Sequence, residues 1–135
     1  MTGERDLDAL LSNMRPEILD GIFVFCALAP GTSIPATISP MLTFREREGT
    51  TLVLLHEEAE RAGLRHEFRS RLISLTVHSA LDAVGFLAAI TARLAEAGIS
   101  VNAVSAFHHD HLLVLVDRAD EAMAVLRDLS KVQRS

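Results

Sequence analysis

The feature that most constrains this 135-residue chain is a series of apolar runs, each shorter than a membrane span and each closed by a polar turn. In the second half they follow one order. RLISLTVH (71–78) places Ile73, Leu75 and Val77 on one face of a strand. Val84, Leu87, Ile90 and Leu94 then recur at helical spacing. Asp82, a favoured N-cap, opens that helix, which runs to about Ala97, and Gly98 offers the left-handed residue that ends it. ISVNAVSAF and LLVLV flank HHDH as a hairpin, and a last helix sets Ala119, Met123 and Leu126 on one side. The predicted order is strand, helix, strand, strand, helix.

The first half is less regular. Leu7, Leu10, Leu11 and Met14 predict a helix that Pro16 closes. GIFVFCALA (21–29) is apolar on both faces, as a strand covered on both sides is. PGTSIPATISP (30–40) holds three prolines, which exclude a regular helix or a central strand. MLTFRERE, a turn at Gly49 and TTLVLL predict a hairpin, and HEEAERAGL a short helix stopped near Gly63. The halves echo each other: TF–RERE–G–TTLVLL–HEEAERA lies beside AF–HHD–H–LLVLV–DRADEAM. The first half lacks a helix between its first two strands. The proline-rich loop takes that place, and the N-terminal helix is expected to cover the vacant sheet surface.

Composition narrows the function. A chain of this length forms one domain, or two small modules sharing a core, and buries roughly two-thirds of its unfolded surface without disulfides. A formal charge of −5, no basic cluster and no Trp or Tyr disfavour nucleic-acid binding. Cys26 is the single cysteine, and the apolar run around it makes it a buried structural thiol rather than a nucleophile. MTGERDLDALL does not read as a signal peptide, and no apolar run approaches the ~20 residues of a membrane span, so a cytoplasmic protein is expected.

LTVHSALDAVGFLAAITARLAEAGISVNAVSAFHHDHLLV resembles an ACT domain, a small regulatory module that binds amino acids. The family hallmark is an acidic residue, two variable positions and Gly between first strand and first helix; here it is Asp82-Ala83-Val84-Gly85. VFCALAPG and TFREREGTTLVLL are similar to the partner module of small bacterial tandem ACT-like proteins. The same architecture is similar to the ACT modules of the cytosolic arginine sensors of eukaryotic nutrient signalling. The resemblance implies an α+β fold of two ferredoxin-like ACT modules, with antiparallel sheets and helices packed on one face. Residues 1–66 form the first, atypical module, with the N-terminal helix and the proline-rich loop, and 67–135 the second. It implies a non-enzymatic regulatory or sensor protein that holds a free amino acid at the interface of the modules. The two-sided apolar runs add the expectation of a homodimer. Two alternatives stay open: a ligand-free interaction module docking on a partner enzyme, and a metal-binding protein using the FHHDH turn.

A helix start offers free N–H groups and partial positive charge to an α-carboxylate, and Gly85, lacking Cβ, admits a ligand to the backbone around Ala83, Val84 and Phe86. Asp82 either caps the helix or pairs with an α-ammonium group, and Gly85 serves either ligand approach or close helix packing. By resemblance to the arginine-sensing domains, Phe107 and Asp110 fall where ligand contacts are made. Asp110 then either meets an ammonium or guanidinium head or is a surface turn aspartate. Asp82 and Asp110 together favour a cationic ligand such as arginine, lysine or ornithine. His108 and His109 read as solvated turn residues. A metal set of His108, Asp110 and His111 lacks an evident fourth protein ligand, so neither a metal site nor a cofactor is expected. His56, His66 and His78 share no ligand spacing. Glu46 and Glu48 of RERE are either a solvated hairpin tip or the lining of a pseudo-equivalent pocket. Thr32 and Ser33 lack a base partner, so nucleophilic catalysis has no support.

Overall fold

The computed structural model describes residues 3–134. In chain order its elements are α1 (Leu7–Asn13), β1 (Pro16–Ile18), β2 (Phe23–Leu28), β3 (Leu42–Glu46), β4 (Gly49–Leu55) and α2 (His56–Arg61). These are followed by β5 (Glu67–Leu75), α3 (Phe86–Glu96), β6 (Val101–Ser105), β7 (Asp110–Leu115) and α4 (Ala119–Arg134), the last entered through a 3-10 turn at Val116–Arg118. No described helix is long and apolar enough to cross a membrane. By compactness the chain forms two units: residues to Asp20 together with those from Arg71, and Gly21–Ser70.

In the larger unit β1 pairs antiparallel with β5, β7 lies beside β5, and β6 and β7 form an antiparallel hairpin. Side-chain alternation turns Ile73, Leu75, Leu112 and Val114 into one core with Phe86, Ile90 and Leu94 of α3 and Ala122, Met123 and Leu126 of α4. Leu10, Leu11 and Met14 of α1 belong to the same core. The N-terminal helix thus packs with the second half of the sequence, and not over the first-half sheet as expected. Each fully buried aliphatic side chain contributes about 1.5–3 kcal/mol. Ser130 of α4, buried, donates its hydroxyl to Met14 O at 3.0 Å across 116 residues, satisfying a carbonyl left by the end of α1.

Helix α3 begins later than its apolar spacing suggests. Its N-cap is Gly85, at φ 92°, and no side chain caps it. Asp82 therefore does not cap this helix. The buried stripe is Phe86, Ile90 and Leu94, while Val84 lies before the helix and is 83% exposed. The helix ends as predicted: Gly98 adopts φ 73°, with Ile99 N–H donating to Leu94 O and Gly98 N–H to Ala95 O.

In the smaller unit β4 pairs with both β2 and β3, and β2 with the opening residues of β5. Val24, Cys26 and Leu28 alternate inward onto Leu52, Leu54 and Ala59. Strand β2 is covered on one face only, since Phe23 and Phe25 are half-buried and Ala27 is exposed. Its two-sided apolar character is not matched by two-sided burial. Between the pairs Phe23↔Ser70 and Phe25↔Glu67 the register shifts by one extra residue on β5. Phe68 sits in that bulge at φ 64°, held by an edge-to-face contact with Phe25 at 5.8 Å. The β3–β4 turn falls at Arg47–Glu48, with Gly49 already in β4 at φ 140°. A Cβ there would lie 2.0 Å from Leu28 O, so glycine is required.

Candidate ligand-binding site

A cavity of about 80 Å³ opens in the larger unit where the segment after β5, the start of α3 and the β6–β7 hairpin meet. Its lining includes Ser79, Ala80, Ala83, Phe86, Ser105 and Asp110. The first wall is latched in place by the N-terminal segment: Glu4 N–H donates to His78 O, and Ala80 N–H to Glu4 O, both at 2.8 Å. Ala83 N–H then returns to Ala80 O at 3.0 Å, and Gly85 turns the chain into α3. A helix leaves its first N–H groups without intrahelical acceptors. Here no side chain supplies one, and Phe86 and Leu87 of that first turn line the cavity.

Asp110 forms the opposing feature. HHDH is not wholly a turn, because Asp110 and His111 already belong to β7, with Asp110 paired to Ser105. Asp110 is 7% exposed and accepts hydrogen bonds from Ser79 Oγ at 3.1 Å and from Ser105 Oγ. It is a buried strand carboxylate, not a surface turn aspartate. Among the described residues it makes no ion pair. A carboxylate has about four acceptor positions, so two hydroxyls leave capacity for a further donor. Burying such a group without a countercharge is costly.

The other candidates lie elsewhere. Asp82 is exposed and bonded to Arg5 Nε at 2.9 Å. Phe107 is 58% exposed and stands beside His108, ring centroids 5.0 Å apart. Neither residue lines the cavity, nor does Val84. Ala83, Phe86 and Asp110 do, and Gly85 is the N-cap between them. A Cβ on Gly85 would meet only Leu7, at an ordinary 3.5 Å, so the glycine answers to its backbone angle.

His108, Asp110 and His111 do not form a ligand set. His109 Nδ1 lies 3.4 Å from Val77 O, whereas His111 Nδ1 meets the hydroxyl of buried Ser74 at 2.8 Å. Burial pushes the His111 imidazole below its ordinary pKa, His109 adds to the effect and Asp110 opposes it. The one group of His, Cys, Asp and Glu with ligand atoms in mutual reach, among the described residues, is His56, Glu60 and His66. His56 and His66, which share no ligand spacing in the sequence, are brought together by the fold. Glu46 and Glu48 are exposed near the β3–β4 turn, Glu46 accepting from Thr51 Oγ1 at 2.6 Å. Cys26 is buried as expected, which raises its thiol pKa. Ser79 and Ser105, which hold Asp110, escaped sequence reasoning because isolated serines at strand ends carry no pattern.

The ACT-domain family model matches residues 2–71, just over half of the chain, and a second ACT-domain model matches residues 67–128. No curated protein matches. Among solved structures, a Vibrio cholerae protein of unknown function, described as a possible transport protein, is 43% identical with a TM-score of 0.83, covering 92% of this chain and 95% of that one. An Agrobacterium tumefaciens protein is 22% identical with a TM-score of 0.76, over 87% and 89% of the two chains. The ligand-free regulatory subunit of aspartate kinase from Thermus thermophilus shares the fold at 10% identity, with a TM-score of 0.65 over 88% and 97%. With two successive matches and a close relative along nearly its whole length, the chain belongs to the ACT-domain family and carries two ACT domains, small regulatory modules, in tandem.

Proposed function

We propose that this is a non-catalytic, cytoplasmic sensor that binds one free amino acid, with the ligand's head group in the cavity between α3 and Asp110. The observation that carries the reading is charge complementarity. The uncapped first turn of an eleven-residue helix, Phe86 and Leu87, lines a cavity that also holds a buried carboxylate with no ion pair among the described residues. An α-carboxylate suits the amides and an α-ammonium suits Asp110. A volume of 80 Å³ is about half of the roughly 150 Å³ that holds a benzene ring in a protein cavity. It therefore takes the head group with a small side chain, or with a longer one directed to solvent. Asp82 is already engaged by Arg5, so Asp110 alone supplies negative charge for a cationic side chain.

Calorimetric titration with single amino acids, using the wild type and Asp110→Asn, tests this. One amino acid should bind, and the variant should bind it about ten-fold or more weakly while keeping its melting temperature. If no amino acid binds at millimolar concentration, the ligand-free interaction module takes its place. The same reading includes a homodimer, supported by the exposed residues of the end strand β6. Light scattering at micromolar concentration tests it, and a monomer mass rules it out.

A further inference from the structure

The smaller unit holds a polar cluster that the amino-acid reading does not use. We propose that His56, Glu60 and His66 bind a divalent transition-metal ion of the zinc class. Each contributes one ligand atom, and all three lie within 4.8 Å of one another. Glu60 Oε1 is 3.3 Å from His56 Nε2 and 2.9 Å from His66 Nε2. The two imidazoles meet edge to face, centroids 4.8 Å apart at 83°, so both nitrogens are directed at the carboxylate rather than stacked away from it. A tetrahedral zinc ion with bonds of 2.0–2.2 Å sets its ligand atoms about 3.3 Å apart. Small side-chain adjustments are enough to reach that geometry.

Local sequence chemistry produces the convergence. His56 and Glu60 are one turn apart on α2, on the same helix face. His66 returns to them because Gly63, at φ 66°, reverses the chain. Gly63 N–H donates to Glu60 O at 3.1 Å and Leu64 N–H to Ala59 O at 2.9 Å, the paired bonds of a Schellman terminus, with Leu64 resting on the core around Ala59. Two imidazoles and one carboxylate suit zinc or nickel, whereas magnesium prefers oxygen ligands throughout. The imidazoles are 27% and 20% exposed and Glu60 60%, which leaves a fourth position open to water. His66 also lines a depression of about 560 Å³ with Phe25, Arg65 and Glu67, room for water or a small ligand to complete the coordination. Arg69 is the nearby cation whose charge also reaches Glu60. The site lies in a different unit from the amino-acid cavity, so the two proposals stand or fall separately.

The test uses the full chain, stripped of metal by chelator and dialysis, then titrated with Zn²⁺, Ni²⁺ and Mg²⁺ against a chromophoric competitor. One equivalent of Zn²⁺ should bind at micromolar affinity or tighter, with no competition from Mg²⁺. Glu60→Gln and His66→Gln should each weaken Zn²⁺ binding about ten-fold or more and leave the metal-free melting curve unchanged. His108→Ala should bind as the wild type does. Absence of binding, unchanged affinity in both Glu60→Gln and His66→Gln, or a loss that instead follows His108→Ala overturns the proposal. Should one of the two ligand variants fold poorly, the other decides.

Discussion

The hydroxyl of Ser79 donates to Asp110 Oδ2 at 3.1 Å, joining residues 31 positions apart across the cavity wall. That bond fixes the orientation of the carboxylate before any ligand arrives. A double-mutant cycle of Ser79→Ala and Asp110→Ala should give a coupling of about 1–2 kcal/mol in urea unfolding, the scale of a partly buried hydrogen bond. Additive effects would show that Asp110 is held by Ser105 alone.

Gly85 opens α3 at φ 92°, where an L side chain is strained. Gly85→Ala should therefore cost about 1–2 kcal/mol of stability, although its methyl group would meet only Leu7 at a comfortable 3.5 Å. Urea denaturation of the variant measures this. A neutral effect would mean that the turn relaxes without disturbing the helix start.

Met14 lies at the end of α1, fully buried in the core of the larger unit. Met14→Ala should destabilise that unit by about 2–5 kcal/mol, the range for truncating a buried Met. Hydrogen exchange resolves it by location: protection should fall at the amides of α3 and α4. Loss confined to residues 21–70 contradicts the packing described.

His111 predicts a pH dependence. Its folded-state pKa is lowered, chiefly by burial, so the folded chain favours the neutral ring and the unfolded chain binds the proton more readily. Its contribution is complete above the ordinary histidine value of about 6.5, and is lost as pH falls from there through the depressed folded value. Unfolding free energy measured from pH 7.5 downward should decline in that window, and His111→Gln should flatten the decline. An unchanged slope in the variant removes His111 as the cause.

What the sequence made legible was periodic or stereochemical. Ile90 and Leu94 announce a buried stripe, and Gly63 and Gly98 announce helix ends, because a helix repeat and a left-handed terminus are local properties. The site was harder to read. Asp82 looks like the helix cap by residue type, yet Gly85 holds that place and Asp82 turns outward to Arg5. Asp110 looks like a turn residue because polar neighbours surround it in sequence, while its burial depends on Ser79, brought in from another segment. His66 joins His56 only through the reversal at Gly63, and nine residues between two histidines match no recognised ligand spacing.

The bond from Ser130 to Met14 O also carries a consequence for the timing of folding. During synthesis the contiguous stretch 21–70 is complete well before α4 exists, so the smaller unit has all its own strands early. Helix α1 is made before it but finds its partners, Ile73, Ile90 and Leu126, only in segments made afterwards. Contacts of such long sequence separation form slowly, since the intervening chain must close before they are rewarded. On the ribosome, α1 therefore emerges well before the segments that bury it. Its Leu10, Leu11 and Met14 face stays open to water, or to a chaperone, until α3 and α4 have been made.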